Sequence, residues 1–217
     1  MSSYSTVLFD LDGTLTDPYE GITRSVQYSL AKYGIEVRDR RLLECFIGPP
    51  LNESYVKYYG FSEEESYRAV DAYREYFAEK GIFENEVYPG IPETLARLKE
   101  AGKTLAVATS KPTVFAKRIL ERFDLEKYFV LCDGSELDGR RVHKDEVVAH
   151  AVNELKCPSG SVIMVGDRCH DVIGAKVNGI PTIGVSYGYG TREELEEAGA
   201  ACVVDSVEEL STLLCQL

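Results

Sequence analysis

Apolar positions recur along this chain in two distinct rhythms. Short apolar runs bounded by turn residues occur at "TVLF" (6–9), "TLAVAT" (104–109), "YFVLC" (128–132), "SVIMVG" (161–166), "PTIGVS" (181–186) and "ACVVD" (201–205). Runs of that length with little polar alternation are what buried parallel strands require, because both faces of such a sheet are covered. Between them the spacing predicts helices over 92–101, 113–123, 144–155 and 171–178, and Thr191 with Glu194 and Ser206 with Glu209 stand at capping-box spacing. Strand and helix in alternation predict an α/β domain with a doubly wound, Rossmann-like parallel sheet.

From about residue 16 to 88 the strand rhythm stops. Ile22, Val26, Leu30 and Tyr33 recur at helical spacing, and "SEEESYRAVDAYREYFAEK" opens on Ser62 with Glu65 placed to complete a capping box. The pattern predicts a catalytic core of 1–15 with 89–217 and a helical insert of 16–88. The insert leaves just after the first strand, at the carboxyl edge where open α/β sheets bind ligands. It is therefore expected to act as a lid that decides substrate specificity. The Gly- and Pro-rich "FIGPPLNES" (46–54), with Gly48 within it, is the expected substrate-contacting loop.

Composition narrows the partners. The 217 residues are 44% hydrophobic, enough for a full core, and carry a formal net charge of −12. An acidic chain of this kind lacks the basic face that nucleic acid or an anionic membrane needs. No apolar run approaches the length of a bilayer span. Cys45, Cys132, Cys157, Cys169, Cys202 and Cys215 show no CxxC spacing, which fits a cytoplasmic protein with free thiols. Counting removes other chemistries. "GKT" (102–104) has Arg97 where a P-loop needs glycine, no cysteine is followed at C-x5-R spacing by arginine, and "RCHD" (168–171) lacks a second ligand pair at zinc spacing.

What remains is polar residues at strand ends: Asp10 and Asp12 after the first strand, Thr109 and Ser110 after the second, Lys144 opening a helix, and Gly166, Asp167 and Asp171 after the fourth. Any one of these has an ordinary reading as a cap, turn or solvated residue. Their convergence on one edge does not.

"DLDGT", "ATS", the later lysine and "GDRCHD" resemble the four motifs of the haloacid dehalogenase superfamily, and the insert resembles its α-helical cap of the first type. "FIGPPL", "VYPGIPETL", "TSKP" and "YGYG" look most like its phosphoglycolate phosphatase and 5′-nucleotidase-like branch. The resemblance implies a phosphatase of small-molecule phosphate monoesters. Asp10 would be the nucleophile forming an aspartyl phosphate and Asp12 the general acid and base, with Gly13 letting the backbone turn past the phosphate. Mg²⁺ would be held by Asp10, Asp167 and the main-chain carbonyl of Asp12. Lys144 would bridge nucleophile and phosphoryl group, and Asp171 would orient Lys144 or a metal-bound water. Thr109 or Ser110 would supply the hydroxyl to the phosphoryl oxygens, with Thr109 preferred and the Ser110 backbone beside it.

Three other readings stand beside this one. A sugar-phosphate mutase shares the first half-reaction. A metal-free dehalogenase has no use for Asp12 and Asp167. A non-catalytic binding protein would be expected to have lost a motif residue, and none is missing. Within the insert, Tyr55, Tyr58 and Tyr59 are candidates to stack a nucleobase, against a reading as core. Arg24 and Lys57 are candidates to meet a substrate carboxylate, against a reading as solvated charge. His170 reads as a solvated or packing histidine.

Overall fold

The structure, a computed structural model, describes residues 4–217. The chain divides into two compact units, one of residues up to Asp17 with Val87–Leu217, the other of Pro18–Glu86. In chain order the elements are β1 (Thr6–Phe9), β2 (Thr16–Asp17), α1 (Tyr19–Lys32), α2 (Leu51–Tyr59), α3 (Glu63–Glu79), β3 (Glu86–Val87), α4 (Ile91–Glu100) and β4 (Thr104–Pro112). There follow α5 (Thr113–Arg122), β5 (Leu131–Ser135), α6 (Lys144–Leu155), β6 (Val162–Gly166), α7 (Cys169–Val177), β7 (Thr182–Val185), α8 (Arg192–Ala198), β8 (Cys202–Val204) and α9 (Val207–Gln216).

The first unit is a Rossmann-like α/β fold on a six-stranded sheet of order β5-β4-β1-β6-β7-β8, parallel throughout. All four β1 residues are buried, as a strand covered on both faces must be. On one face Leu8, Ala106, Ala108 and Met164 form a core with Val147, Val148 and Ala151 of α6 and Ala175 of α7. A fully buried Leu or Met there contributes roughly 1.5–3 kcal/mol. The chain runs from β1 outward to β4 and β5, then crosses back to β6 on the other side of β1. That reversal makes the carboxyl end of β1 the switch point of the sheet. Phe9 is in register with Val107 and Val165, so Asp10 comes level with Ala108 and Gly166, and Thr109 and Asp167 lie one residue further on.

Several element boundaries differ from the sequence reading. β5 begins at Leu131, three residues into the run "YFVLC", because Glu126–Tyr128 closes into a 3₁₀ turn and the strand instead takes in Asp133 and Ser135. Both are buried; Asp133 is satisfied by His150 Nδ1 at 2.7 Å, and the Ser135 hydroxyl donates to the Ser110 carbonyl at 2.7 Å. β4 runs past Thr109 to Pro112 through an irregularity in its pairing with β5. α7 starts at Cys169, two residues early, and the insert carries two-residue strands at its ends. Thr191 and Ser206 cap α8 and α9 through Glu194 N and Glu209 N, while the Glu209 side chain accepts from Asp205 N.

The second unit is helical. Ile22, Val26 and Leu30 line the buried face of α1, and Tyr33 stands at its carboxyl cap. Ser62 and Glu65 form a complete capping box on α3, worth about 1 kcal/mol. Gly21 allows α1 to touch the Gly81 carbonyl, where any Cβ would collide. Tyr55 is fully buried, and Phe46, Tyr55, Tyr58, Tyr59 and Phe61 pack with ring centroids 4.9–6.4 Å apart.

Candidate active site

Asp10 follows β1 directly, and its amide donates to the Val165 carbonyl at 2.9 Å and so extends the ladder by one residue. Its side chain is 5% exposed. Lys144, the first residue of α6, places Nζ 2.7 Å from Asp10 Oδ1, 2.8 Å from Asp171 Oδ1 and 3.1 Å from the Ala108 carbonyl. Asp10 and the Ala108 carbonyl accept hydrogen bonds from the ammonium group, and Asp171 adds an ion pair. Burial works against the charge on Lys144, yet Asp10 and Asp171 together raise its pKa above the ordinary lysine value. Two glycines make this packing possible. A Cβ at Gly174 would stand 2.8 Å from Cβ and Cγ of Lys144, and one at Gly166 would overlap the Asp171 carboxyl group.

Beyond Asp10 the chain turns tightly, with the amides of Thr14, Leu15 and Thr16 converging on the Leu11 carbonyl and Gly13 at φ 83°. The turn delivers Asp12 to Lys111, whose Nζ lies 2.5 Å from Asp12 Oδ2. Burial raises the Asp12 pKa against the opposing pull of Lys111. Its Oδ1 is buried without a hydrogen-bond partner. Thr109 is buried and its hydroxyl accepts from the Lys111 amide at 3.3 Å, while the carbonyl of half-buried Ser110 accepts from the Ser135 hydroxyl.

Asp167, fully buried, follows β6. Oδ1 accepts from the Thr14 hydroxyl at 3.3 Å and Oδ2 from the Tyr189 amide at 2.8 Å. Gly13 passes so close that a Cβ would overlap that carboxylate. Burial, then the negative charges of Asp171 and Asp10, push the Asp167 pKa well above the usual carboxylate value. Asp171 accepts from the Arg168 amide at 3.0 Å and is pushed up to about 6, chiefly by burial, against the pull of Lys144. Carboxylate oxygens of Asp10, Asp167 and Asp171 all lie within 4.8 Å of one another.

Four buried carboxylates thus face two buried ammonium groups, Lys111 and Lys144. The imbalance of two charges, the unpartnered Asp12 oxygen and the all-oxygen donor set fit a hard divalent cation. Gly48 belongs to the other unit, at φ 103°. There Arg24 is engaged by Glu84 at 2.6 Å and Glu20 at 2.9 Å, and Lys57 lies over the Tyr58 ring. His170 Nδ1 lies 3.6 Å from Cys169 Sγ. The sequence reading did not single out Lys111, Thr14 or Tyr189 for the site. "TSKP" and "YGYG" are the stretches that contain two of them, each at the carboxyl end of a strand.

A buried acidic cluster at the switch point of a parallel sheet, with a lysine between its carboxylates, is the arrangement of an enzyme that handles phosphate esters. The chain belongs to the haloacid dehalogenase-like hydrolases, whose family model matches residues 7–185. It is 50% identical over 192 residues, 88% of its length and 87% of the relative's, to a 5′-nucleotidase of Pseudomonas aeruginosa. It is also 39% identical over 210 residues to the tyrosine-protein kinase PtkA of Mycobacterium tuberculosis, covering 96% of this chain and 72% of that one. A crystal structure of a predicted phosphatase from Clostridium acetobutylicum superposes with a TM-score of 0.98 at 53% identity over 100% of both chains. The protein is a phosphoric monoester hydrolase of this family.

Proposed function

We propose that the protein hydrolyses small-molecule phosphate monoesters, nucleoside 5′-monophosphates foremost, through an aspartyl phosphate on Asp10 and with Mg²⁺ as cofactor. The observation that carries this reading is Asp10 itself, a buried carboxylate at the switch point, gripped by Lys144 and surrounded by more negative charge than the protein balances. An Asp10 oxygen attacks phosphorus, the bond to the ester oxygen breaks, and Asp12 gives that oxygen its proton. Asp12 then takes a proton from water, whose oxygen attacks phosphorus and frees Asp10 and inorganic phosphate. Lys144 holds nucleophile and phosphoryl group together, and Gly13, Thr109 and the Ser110 backbone receive the phosphoryl oxygens. Asp10, Asp167 and the Asp12 carbonyl would hold the Mg²⁺, which supplies the positive charge that lets a carboxylate approach a phosphate dianion. Asp171, with one oxygen on Lys144 and the other on the Arg168 amide, positions the lysine.

The 5′-nucleotidase relative supports the nucleotide preference. The helical unit, through the loop at Gly48 and Pro49, is assigned to substrate choice. Six cysteines, none in a disulfide, suit a reducing compartment and a cytoplasmic site of action. No helix among the described residues is long and apolar enough to cross a membrane. A panel of nucleoside monophosphates, phosphoglycolate, sugar phosphates and pyrophosphate, assayed with Mg²⁺, tests the reading. Highest kcat/KM on a nucleoside monophosphate is expected. Phosphate transfer to a second sugar phosphate without net release would favour a mutase, and labelling of a tyrosine peptide from ATP would favour the activity named in the mycobacterial relative.

A further inference from the structure

We infer that the loop Tyr187–Gly190, which follows β7, is a positioning clamp on Asp167, anchored by two tyrosine hydroxyls to the segment Thr14–Asp17. The inference rests on the reading of Asp167 as a ligand of the divalent ion. Three hydrogen bonds define the clamp. The Tyr189 amide donates to Asp167 Oδ2 at 2.8 Å, the Tyr187 hydroxyl donates to the Thr14 carbonyl at 2.9 Å, and the Tyr189 hydroxyl donates to Asp17 Oδ1. The loop thereby grips one carboxylate oxygen directly. It also fixes the backbone of Thr14, whose own hydroxyl donates to the other oxygen at 3.3 Å.

Close packing completes the grip. Gly188 lies against the Gly13 carbonyl and Asp167 Cβ, and Gly190 against the Asp167 carbonyl, so that a Cβ at either position would overlap them. Neither glycine is in the left-handed region; a positive φ is found at Gly13, Gly34, Gly48, Gly60, Gly90, Gly102, Gly139, Gly179 and Gly199. Backbone freedom is therefore not what requires glycine at 188 and 190. Proximity to Asp167 is. Tyr88 packs edge-on against Tyr187, with ring centroids 5.1 Å apart. A carboxylate hydrogen-bonded at both oxygens and walled by backbone keeps one rotamer, and residues that orient a metal ligand in this way commonly set metal affinity by about 10–100-fold.

Tyr189→Phe removes the anchor to Asp17 and keeps the ring; Gly188→Ala presses directly on Asp167. Mg²⁺ affinity is read by calorimetric titration of the metal-free proteins, and separately as the Mg²⁺ concentration for half-maximal hydrolysis. Metal-free melting confirms that each variant folds. For Tyr189→Phe both readouts are expected to weaken by about three- to tenfold, with the deficit in rate shrinking as Mg²⁺ is raised. Gly188→Ala is expected to weaken them by tenfold or more. A merely structural loop would lower the rate equally at every Mg²⁺ concentration and leave the calorimetric affinity alone, and that result for either variant overturns the clamp. Asp167→Ala separates the two claims. If it also leaves Mg²⁺ binding unchanged, the reading of the metal site has failed; if it abolishes binding while Tyr189→Phe and Gly188→Ala do not alter it, only the clamp has failed.

Discussion

Charge is used in opposite ways in the two units. In the helical unit it stands on the surface in matched pairs: Lys32 with Glu75, whose side chains are 41% and 54% exposed, Arg24 with Glu20 and Glu84, Arg40 with Glu20. In the sheet unit the Lys144–Asp10 pair is 4% and 5% exposed, and carboxylates remain after every nearby ammonium is used. The proton affinities follow. Hydrogen bonding to Lys32 lowers the Glu75 pKa, whereas burial raises that of Asp171 to about 6 although a lysine touches it. At the surface water does most of the solvating and the partner adds a little. In the interior desolvation dominates, so excess buried charge persists only where something further balances it.

The comparison breaks hardest at the nucleophile. Asp10→Asn keeps the shape and removes the attacking oxygen, so turnover should fall by about 10³-fold or more in a protein that melts normally. Phosphate release assays on the purified variant check this. Next is Lys144→Met, which leaves Asp10 and Asp171 buried and unpaired. A loss of about 3 kcal/mol is expected, seen as a melting temperature lower by roughly 6–12 °C, together with loss of activity.

A third test uses pH. The raised values of Asp12, Asp167 and Asp171 mean that the folded, metal-free chain binds protons more tightly than the unfolded one. The stability Asp171 contributes is complete below the ordinary carboxylate range near pH 4 and is lost as pH rises through about 6, and the raised values of Asp12 and Asp167 act in the same direction. A divalent ion binds the deprotonated form. Mg²⁺ should therefore barely move the melting temperature at pH 5, and should raise it by about 5–10 °C at pH 7.5 when present at about 100 times its dissociation constant. A larger shift at pH 5 would contradict the assignment. The smallest effect belongs to the surface: Lys32→Ala should change the melting temperature by no more than about 1 °C and leave hydrolysis of a small ester intact.

How far the sequence reveals this molecule depends on what kind of contact made each feature. β1, β6 and β7 are legible because a strand buried on both faces is apolar throughout, and α6 is legible from end to end by its spacing. β5 is displaced because its buried Asp133 and Ser135 are satisfied by distant partners, which an apolar-run reading counts as loop. The spacing of "DLDGT" and "GDRCHD" brings Asp10, Asp12, Asp167 and Asp171 to one strand edge, since strand ends in a parallel sheet align. Lys111 and the two tyrosines escaped notice for the converse reason. Tyr187 and Tyr189 meet partners 173 and 172 residues away, and no local pattern reports such a contact. The tyrosines at 55, 58 and 59 show the same ambiguity inside the helical unit, where they pack with Phe46.

The central claim, that the unbalanced buried carboxylates hold a divalent ion without which Asp10 does not act, is tested most directly by titrating Mg²⁺ into metal-free protein at pH 7.5 while heat and nucleoside monophosphate hydrolysis are followed together. One ion per chain is expected, with turnover rising in proportion to occupancy, and both lost in Asp167→Ala. Full turnover in excess chelator, with no ion bound, would contradict it.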